Sequence, residues 1–448
     1  MSSGSPQKTQ IVIAGAGIAG LMSAILLSRQ GYPVAVRDRR PELRGDVPYS
    51  GRSVNFTLSY RGREMLRRAG ILQEVLQYAV PLRGRAIHLQ HGQQLNQPYG
   101  THADEVLHAI RRIDLHRELL RAAIRENNVS VKFEHDLKDI QLANNRAIFS
   151  QNKGDLEQLE FDLFIGADGA FSRAQDLLIA QHPVARTREV SDWRYIEFEI
   201  PSHASGKYAL DPTFLHLWPK SDSLICAIPN PDSTFVANLI MPSHLFESLQ
   251  INDADQFLRD RFADLLPLIK IDPSEIKKCK VSDIVTSSVS KWQFEGKAVL
   301  LGDACHAISP FLGQGMNAAL EDATILVEHL TAPSVSMEQS LKEFEQARKP
   351  DTDALGELSR SHLNQLSTHL ASPWHIAGQT AEIHLAQRFP SHSKPLYSLI
   401  AHSTTRYSEA LKVKTQSNHL RNRTILTGLQ AYYFARNQIS TAAKRSHL

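Results

Sequence analysis

A strand, a glycine turn and a helix near the start of the chain limit its fold more than any other stretch. Gln10-Ile11-Val12-Ile13-Ala14 is a β-branched run, and Gly15-Ala16-Gly17-Ile18-Ala19-Gly20 follows at once. Leu21 to Gln30 then reads as a helix, and Pro33 to Val36 as a second strand ending at Asp38. This is GxGxxG in a strand–turn–helix setting, with an acid 18 residues beyond the third glycine. The first glycine makes the turn, the second admits a pyrophosphate to the backbone, and the third packs helix on strand. Asp38 is placed to hold ribose hydroxyls, which favours FAD or NAD. Arg37, Arg39 and Arg40 around it would alone argue for a 2′-phosphate.

Two later stretches repeat the pattern of a buried strand ending in an acid. Phe161 to Ile165 leads into Gly166-Ala167-Asp168-Gly169, with Ser172-Arg173 opening a helix. Ala298 to Leu301 leads into Gly302-Asp303, and after Pro310 and Gly313-Gln314-Gly315 a helix opens at Met316-Asn317. A carboxylate at a strand end can take hydrogen bonds from a polyol, and a helix start can stabilise an anionic oxygen. A ribityl chain ending in an isoalloxazine ring needs both, so the third stretch tips the nucleotide choice to FAD.

The chain has 448 residues, 42% apolar and 22% charged, which describes a globular protein of two or three packed units. A net charge of +3 is too small to argue for nucleic acid or an acidic membrane. Cys226, Cys279 and Cys305 lie far apart, which indicates neither a disulfide framework nor zinc. His362, His369 and His375 fall on a helical stretch with no carboxylate in step, so no metal site is expected. The N-terminus lacks the apolar core of a signal peptide, and no run reaches the length of a membrane span.

Between the motifs, Ser53 to Ser59 alternates like a strand, Arg63 to Tyr78 reads as one helix, and Pro81 to His88 as one strand with inward arginines, closed into a hairpin at Pro98-Tyr99-Gly100. Arg112 opens a further helix, and Asn128–Phe133 and Leu137–Ile140 are short strands. From Tyr195 to Val285 the pattern becomes an alternating sheet with a helix near Ala254 to Phe262. After Lys349-Pro350 the chain reads as helical, broken at Pro373, Pro390 and Pro395. The expected fold is α/β: a FAD-binding Rossmann-like domain, an inserted antiparallel β-sheet substrate domain and a C-terminal helical region. Its boundaries are 1–80, 101–185 and 286–348 for the FAD domain, 81–100 and 186–285 for the substrate domain, and 349–448 for the helical region.

GxGxxG with its acid, then Asp168-Gly169, then Gly302-Asp303, is the order seen in single-component flavoprotein aromatic hydroxylases. Within that group the chain closely resembles the kynurenine 3-monooxygenase family. The resemblance is carried by GRSVNFTLSYRGREML from Gly51, PLRGRAIH from Pro81, QPYG from Gln97, LFIGADGAFS from Leu163, FLHLWP from Phe214, GDACHAISPFLGQGMNAALEDA from Gly302 and KPLYSLIAHSTTRYSEA from Lys394. It implies FAD contacts at Gly15, Gly17, Ala19, Gly20, Asp38, Arg40, Arg112, Leu137, Asp303, Gly315, Met316 and Asn317. It implies that Arg85 and Tyr99 grip an amino-acid carboxylate, with Tyr397 completing the pocket and His362 at a further substrate position. Pro310, Phe311 and Leu312 would keep the flavin face dry, and His306 would support the flavin loop. The activity implied is ring hydroxylation of L-kynurenine, in tryptophan catabolism, through a flavin C4a-hydroperoxide. NADPH or NADH would be the reductant and dioxygen the co-substrate, with no side chain assigned as acid or base. The eukaryotic members carry a C-terminal membrane anchor; this chain resembles the bacterial type, which implies a cytoplasmic protein of unread oligomeric state.

Three positions depart from the family pattern. His362 stands where an asparagine is expected, Trp193-Arg194 where His-Gly is usual, and Leu312 where a second aromatic or histidine follows Phe311. An amide-to-imidazole change alters donor geometry and charge, which leaves open a relative of kynurenine as substrate. Other readings are a non-hydroxylating flavin oxidoreductase and a flavoprotein that binds an aromatic amino acid without reaction. The Trp-x-Trp-x-Ile-Pro signature of flavin halogenases is absent.

Overall fold

In a computed structural model, the structure describes residues 9–42, 55–89, 93–151, 154–251, 254–268, 276, 278–368, 372–389, 395–416 and 427–435. Ser53 and Val54 of the first alternating run, His369 and the break at Pro390 lie outside them. The glycine turn joins Ile11–Ala14 (β1) to Ile18–Arg29 (α1), and Val34–Arg37 (β2) returns beside β1. Next come Phe56–Leu58 (β3), Tyr60–Arg68 (α2), Leu72–Leu76 (α3), Ala79–Leu82 (β4), Gly84–His88 (β5), Gln94–Pro98 (β6) and Leu107–Ile110 (β7). Arg112–Arg125 (α4) leads to Val129–Lys132 (β8), His135–Gln141 (β9), Arg146–Gln151 (β10), Leu156–Glu160 (β11), Leu163–Gly166 (β12) and Arg173–Gln181 (α5). The second half of the strands is Arg186–Ile200 (β13), Phe214–Pro219 (β14), Leu224–Pro229 (β15) and Phe235–Pro242 (β16), followed by helices Ser243–Ile251 (α6) and Ala254–Phe262 (α7). Ser282–Val289 (β17), Gln293–Phe294 (β18) and Ala298–Leu300 (β19) precede the short helix Asp303–His306 (α8). Helices Gly315–Leu330 (α9), Met337–Thr368 (α10), Pro373–Arg388 (α11), Leu396–Ala401 (α12) and Tyr407–Gln416 (α13) follow.

A six-stranded sheet in the order β18-β19-β12-β1-β2-β8 is parallel except for its edge strand β18. Its inner strands β19, β12, β1 and β2 are buried on both faces, which is why they read as apolar runs rather than alternating ones. The three strands β12, β1 and β19 end side by side, so the glycine turn, Asp168 and Gly302-Asp303 meet at one edge. A seven-stranded sheet in the order β17-β13-β16-β15-β14-β5-β6 takes its strands from between those of the first. On one of its faces Ile225, Ala227, Ala237 and Leu239 pack against Phe246 of α6 and Leu258 and Phe262 of α7. The alternate residues face the other way, as the period of two requires. Strands β9 to β11 form a separate antiparallel meander, and β3, β7 and β4 a fourth small sheet.

Several elements differ from the sequence expectation. The single helix over Arg63 to Tyr78 is two, α2 and α3, separated at Gly70, whose φ of +61° ends the first. The single strand over Pro81 to His88 is also two, in different sheets; Gly84 permits the switch because a Cβ there would lie 2.2 Å from the Gln97 carbonyl oxygen. Of its two arginines only Arg85 turns inward, Arg83 being exposed. Strands β10 and β11 and helix α6 carry no clear periodic signal and were not expected. Strand β13 begins at Arg186, ahead of Tyr195, with an irregularity between Val190 and Arg194. Pro350 does not start the helical region: α10 runs through it, from Met337 to Thr368.

Candidate active site

At the glycine turn, Gly15 has a φ of +106°, and a Cβ there would lie 2.4 Å from the Ala167 carbonyl oxygen. Gly20 sits against the Gly15 carbonyl oxygen, where a Cβ would approach to 2.0 Å. Gly17 differs: a Cβ there would meet only the Ala167 oxygen, at 3.8 Å, and the residue borders a cavity. Helix α1 starts after Gly17 with no side chain of its cap residue bonding it, which leaves its first N–H groups uncapped beside the cavity. The turn is fastened from behind, where the His116 Nε2–H of α4 donates to the Ala16 carbonyl at 2.7 Å. Nothing in the sequence marked that histidine.

Asp38, at the end of β2, accepts the Ala16 N–H at 2.7 Å and the Arg40 guanidinium at 2.7 and 2.9 Å. Burial pushes its carboxyl upward, but Arg40 and these N–H donors outweigh burial and hold it below the usual carboxylate range. Asp168 caps α5, accepting from the Ser172 hydroxyl and from the Arg173 and Ala174 N–H groups at 2.7 and 3.0 Å.

The cavity, of about 370 Å³, runs from the glycine turn to the seven-stranded sheet. On its nucleotide side lie Gly17, Ala19, Arg112, Asp303, Gly315 and Met316, together with Pro310, Phe311 and Leu312. Helix α9 opens there without a side-chain cap, leaving N–H donors at Gly315 and Met316. On its far side lie Arg85, Tyr99, Tyr397 and His362, with a largely apolar sheet wall that includes Leu215, Leu217, Leu224 and Ile228. Gly15, Gly20, Asp38, Arg40, Leu137 and Asn317 are not on its wall. Leu137 is packed in the core from β9. The Asn317 amide instead ties the loop to β3: it donates to the Thr57 and Gly313 carbonyls at 3.0 Å and accepts the Ser59 N–H at 2.9 Å. Of the three departures noted in the sequence, His362 and Leu312 line the cavity, while Arg194 pairs with Asp283 at 3.0 Å beside it.

Arg85 is the cation of the far side. Its guanidinium lies 4.7 Å from the Tyr397 ring centroid and 5.3 Å from that of Tyr99, and the two rings stack 5.5 Å apart. Burial alone would lower its pKa, but the two phenols more than compensate and raise it. Among the described residues no acidic side chain pairs with it. Burial pushes the Tyr99 phenol well up and the Cys226 thiol up to about 12, so both stay neutral. The far wall therefore offers one unneutralised positive charge framed by two aromatic hydroxyls, in an otherwise apolar chamber.

A buried charge network braces the flavin-side loop from outside the cavity; the sequence marked His306 for this loop but none of its partners. The His306 imidazole bonds Asp322 at 2.6 Å, and Arg348 of α10 bridges Asp322 and Glu321, each at 2.8 Å. Glu321 also pairs with Arg61, whose guanidinium lies 4.1 Å from the Tyr407 ring centroid and donates to the Thr405 carbonyl. The desolvation that would raise the Asp322 carboxyl is outweighed by His306 and Arg348, which hold it low. Asp351 continues the chain of contacts to Arg406 at 3.0 Å and to the Ser408 hydroxyl. The loop over Gly302 to Gly315 is thus tied to α2, α10 and the segment before α13.

Comparison with known proteins agrees with this geometry. Residues 8–358 match the sequence model of the FAD binding domain family. A kynurenine 3-monooxygenase of Salinispora tropica is 35% identical over 424 residues, 93% of each chain. One of Christiangramia forsetii is 34% identical over 91% of this chain and 92% of its own, and one of Sus scrofa 31% identical over 92% and 88%. Among solved structures, 2-methyl-3-hydroxypyridine-5-carboxylic acid oxygenase superposes with a TM-score of 0.68 at 23% identity, over 85% of this chain and 98% of its own. P. aeruginosa PqsL does so with a TM-score of 0.66 at 21% identity, over 83% and 99%. Fold and site thus define a FAD-dependent monooxygenase. Within that class, the chain belongs to the kynurenine 3-monooxygenase family.

The residues present fit FAD: the surface over Gly17 is open, the starts of α1 and α9 are uncapped, and both border one cavity. Among the described residues, no helix is long and apolar enough to cross a membrane.

Proposed function

We propose that this chain hydroxylates the aromatic ring of L-kynurenine or of a close amino-aryl acid relative, using NADPH or NADH and dioxygen. The observation that supports this best is Arg85, an unneutralised guanidinium between two stacked tyrosines at the end of an apolar chamber. Such a group suits a substrate carboxylate: the guanidinium supplies charge and paired donors, and Tyr99 and Tyr397 supply hydroxyls. FAD, held at Gly17, Ala19, Asp38, Arg112, Asp303, Gly315 and Met316, would supply electron transfer from the nicotinamide to dioxygen. The chain's own work is positioning. Gripping the carboxylate at Arg85 directs the ring of the substrate toward the loop of Pro310, Phe311 and Leu312. Those three side chains exclude water from the space between the sheet and α9. The free N–H groups at the start of α9 stabilise negative charge that develops beside them. No side chain is assigned as a general base, since an electron-rich aromatic ring needs none to attack an electrophilic oxygen.

His362 on the cavity wall, in place of the asparagine seen elsewhere in the family, supports keeping a relative of kynurenine within the proposal. A FAD unit at 1–80, 101–185 and from 286 to the start of α10, with the substrate unit at 81–100 and 186–285, is the division we propose; the membership of β5 and β6 in the seven-stranded sheet supports it. The test is NADPH oxidation by the FAD-loaded protein with and without L-kynurenine, the product being identified by mass. Stimulation with gain of one oxygen is expected; absence of both would reject the proposal. Arg85→Met should retain FAD and raise KM about 10- to 100-fold, the weight of a charged hydrogen bond. An unchanged KM would remove Arg85 from substrate binding.

A further inference from the structure

The wall of the cavity opposite α9 is one face of the seven-stranded sheet; Leu217, Leu224, Ile228 and Ile240 make its middle aliphatic, while Tyr195 and Asp283 lie toward its β17 edge. Asn238 of β16 interrupts that middle. This residue stands directly across from Cys226 of β15, which also lines the cavity, and from Glu197 of β13. Asn238 is 5% exposed, and its Oδ1 is buried without a hydrogen-bond donor among the described residues. A buried carboxamide oxygen in that state is costly to keep, and an aliphatic side chain would pack the wall equally well. Because the amide can turn about its last torsion and exchange oxygen for nitrogen with no change of shape, it can present either a donor or an acceptor.

Its place relative to Arg85 limits what it can meet. Arg85 is on β5, three strands away across β14 and β15, a distance of about 14 Å at the usual strand spacing. The Arg85 side chain spans part of that. What remains suits a short carboxylate-bearing chain ending in a single aromatic ring, with the ring lying over Cys226 and Asn238. The neutral, compact Cys226 thiol leaves the ring room and offers it no competing charge.

We propose that Asn238 is a specificity-determining residue: its carboxamide hydrogen-bonds a polar ring substituent of the substrate, so that the site prefers amino-aryl acids to their unsubstituted counterparts. This rests on the reading that Arg85 holds the substrate carboxylate. A site that hydrogen-bonds a ligand group rejects the analogue without it, because its own polar atom is then left unpaired.

The experiment is a titration of the FAD-loaded protein with L-kynurenine and with its des-amino analogue, 2-amino-4-oxo-4-phenylbutanoate, followed by the flavin absorbance. The wild type should bind kynurenine about tenfold or more tighter than the analogue. Asn238→Leu should bring the two affinities together by weakening kynurenine alone, and Asn238→Ser, which restores a hydroxyl, should recover part of the difference. Equal affinities in the wild type, or a preference unmoved by Asn238→Leu, would overturn the proposal. Should Asn238→Leu not retain FAD, Asn238→Ser is compared with the wild type instead, and a ratio that it leaves unmoved overturns the proposal. If neither ligand perturbs the wild-type flavin, the Arg85 reading fails and takes this one with it. If both bind with a ratio that Asn238 does not control, this inference fails alone.

Discussion

The six-stranded and seven-stranded sheets contribute to one cavity in opposite ways. The first offers backbone: uncapped N–H groups at the helix starts beside Gly17 and Gly315, in turns that pass through Gly15 and Gly313 at positive φ. The second offers side chains, Arg85, Cys226 and Asn238, the outermost 153 residues apart in the chain. Backbone recognition uses consecutive residues at the end of one strand, whereas side-chain recognition collects single residues from many strands. The first is therefore rigid and common to many flavoproteins, and the second can change specificity one residue at a time.

The largest effect that would sharpen this contrast comes from the network bracing the flavin loop. Arg348→Ala leaves Asp322 and Glu321 buried beside each other without their shared cation, and should cost about 3–5 kcal/mol of stability in denaturant unfolding. A loss below about 1 kcal/mol would show that the loop does not depend on the network.

The second prediction concerns pH and lies in the seven-stranded sheet. The His216 Nε2–H donates to the Asp211 carbonyl, so its Nδ1 accepts from His88 Nε2–H at 2.9 Å; His88 stacks on Trp218 at 4.1 Å, and Trp218 donates to Asp264. Burial, and then the neighbouring His216, push the His88 pKa down to about 4. The unfolded chain binds a proton near pH 6.5 that the folded chain refuses until about pH 4, so this contribution is intact above pH 6.5 and is lost as pH falls through that window. The loss approaches about 3 kcal/mol, and His88→Gln should flatten the stability curve by that amount between pH 6.5 and 4. A curve of unchanged slope would mean that His88 titrates normally.

The two glycines of the turn separate fold from cofactor. Gly20→Ala drives a Cβ against the Gly15 carbonyl and should cost about 1–3 kcal/mol. Gly17→Ala has room within the protein and an extended backbone, so its stability without FAD should change by less than about 0.5 kcal/mol. Its FAD affinity should nonetheless fall about tenfold, because the added methyl occupies the ligand's approach. Equal FAD binding by Gly17→Ala and the wild type would break the comparison on its backbone side.

Much of the nucleotide half could be read directly. Gly15, Gly17 and Gly20 announce a turn, Asp38 a strand end, and the Ala298–Leu300 run a buried parallel strand, because each depends on neighbours within a few residues. The pocket half was legible only through family resemblance. Arg85 alone is indistinguishable from a surface arginine of the kind Arg83 proved to be, and the split of Pro81–His88 between two sheets turns on a contact between Gly84 and Gln97. Asn238 and His116 carried no local signal at all.

The sequence by itself determined the class of cofactor and the strand ends that hold it, since glycine conformation, strand burial and helix starts are local properties of consecutive residues. Only the tertiary structure decided that Arg85, Tyr99 and Tyr397 share one chamber, that Arg348 joins Asp322 and Glu321, and that Asn238 faces the same cavity. Charges and hydrogen bonds act over a few ångströms of space whatever their separation along the chain, and that proximity exists only once the sheets have packed.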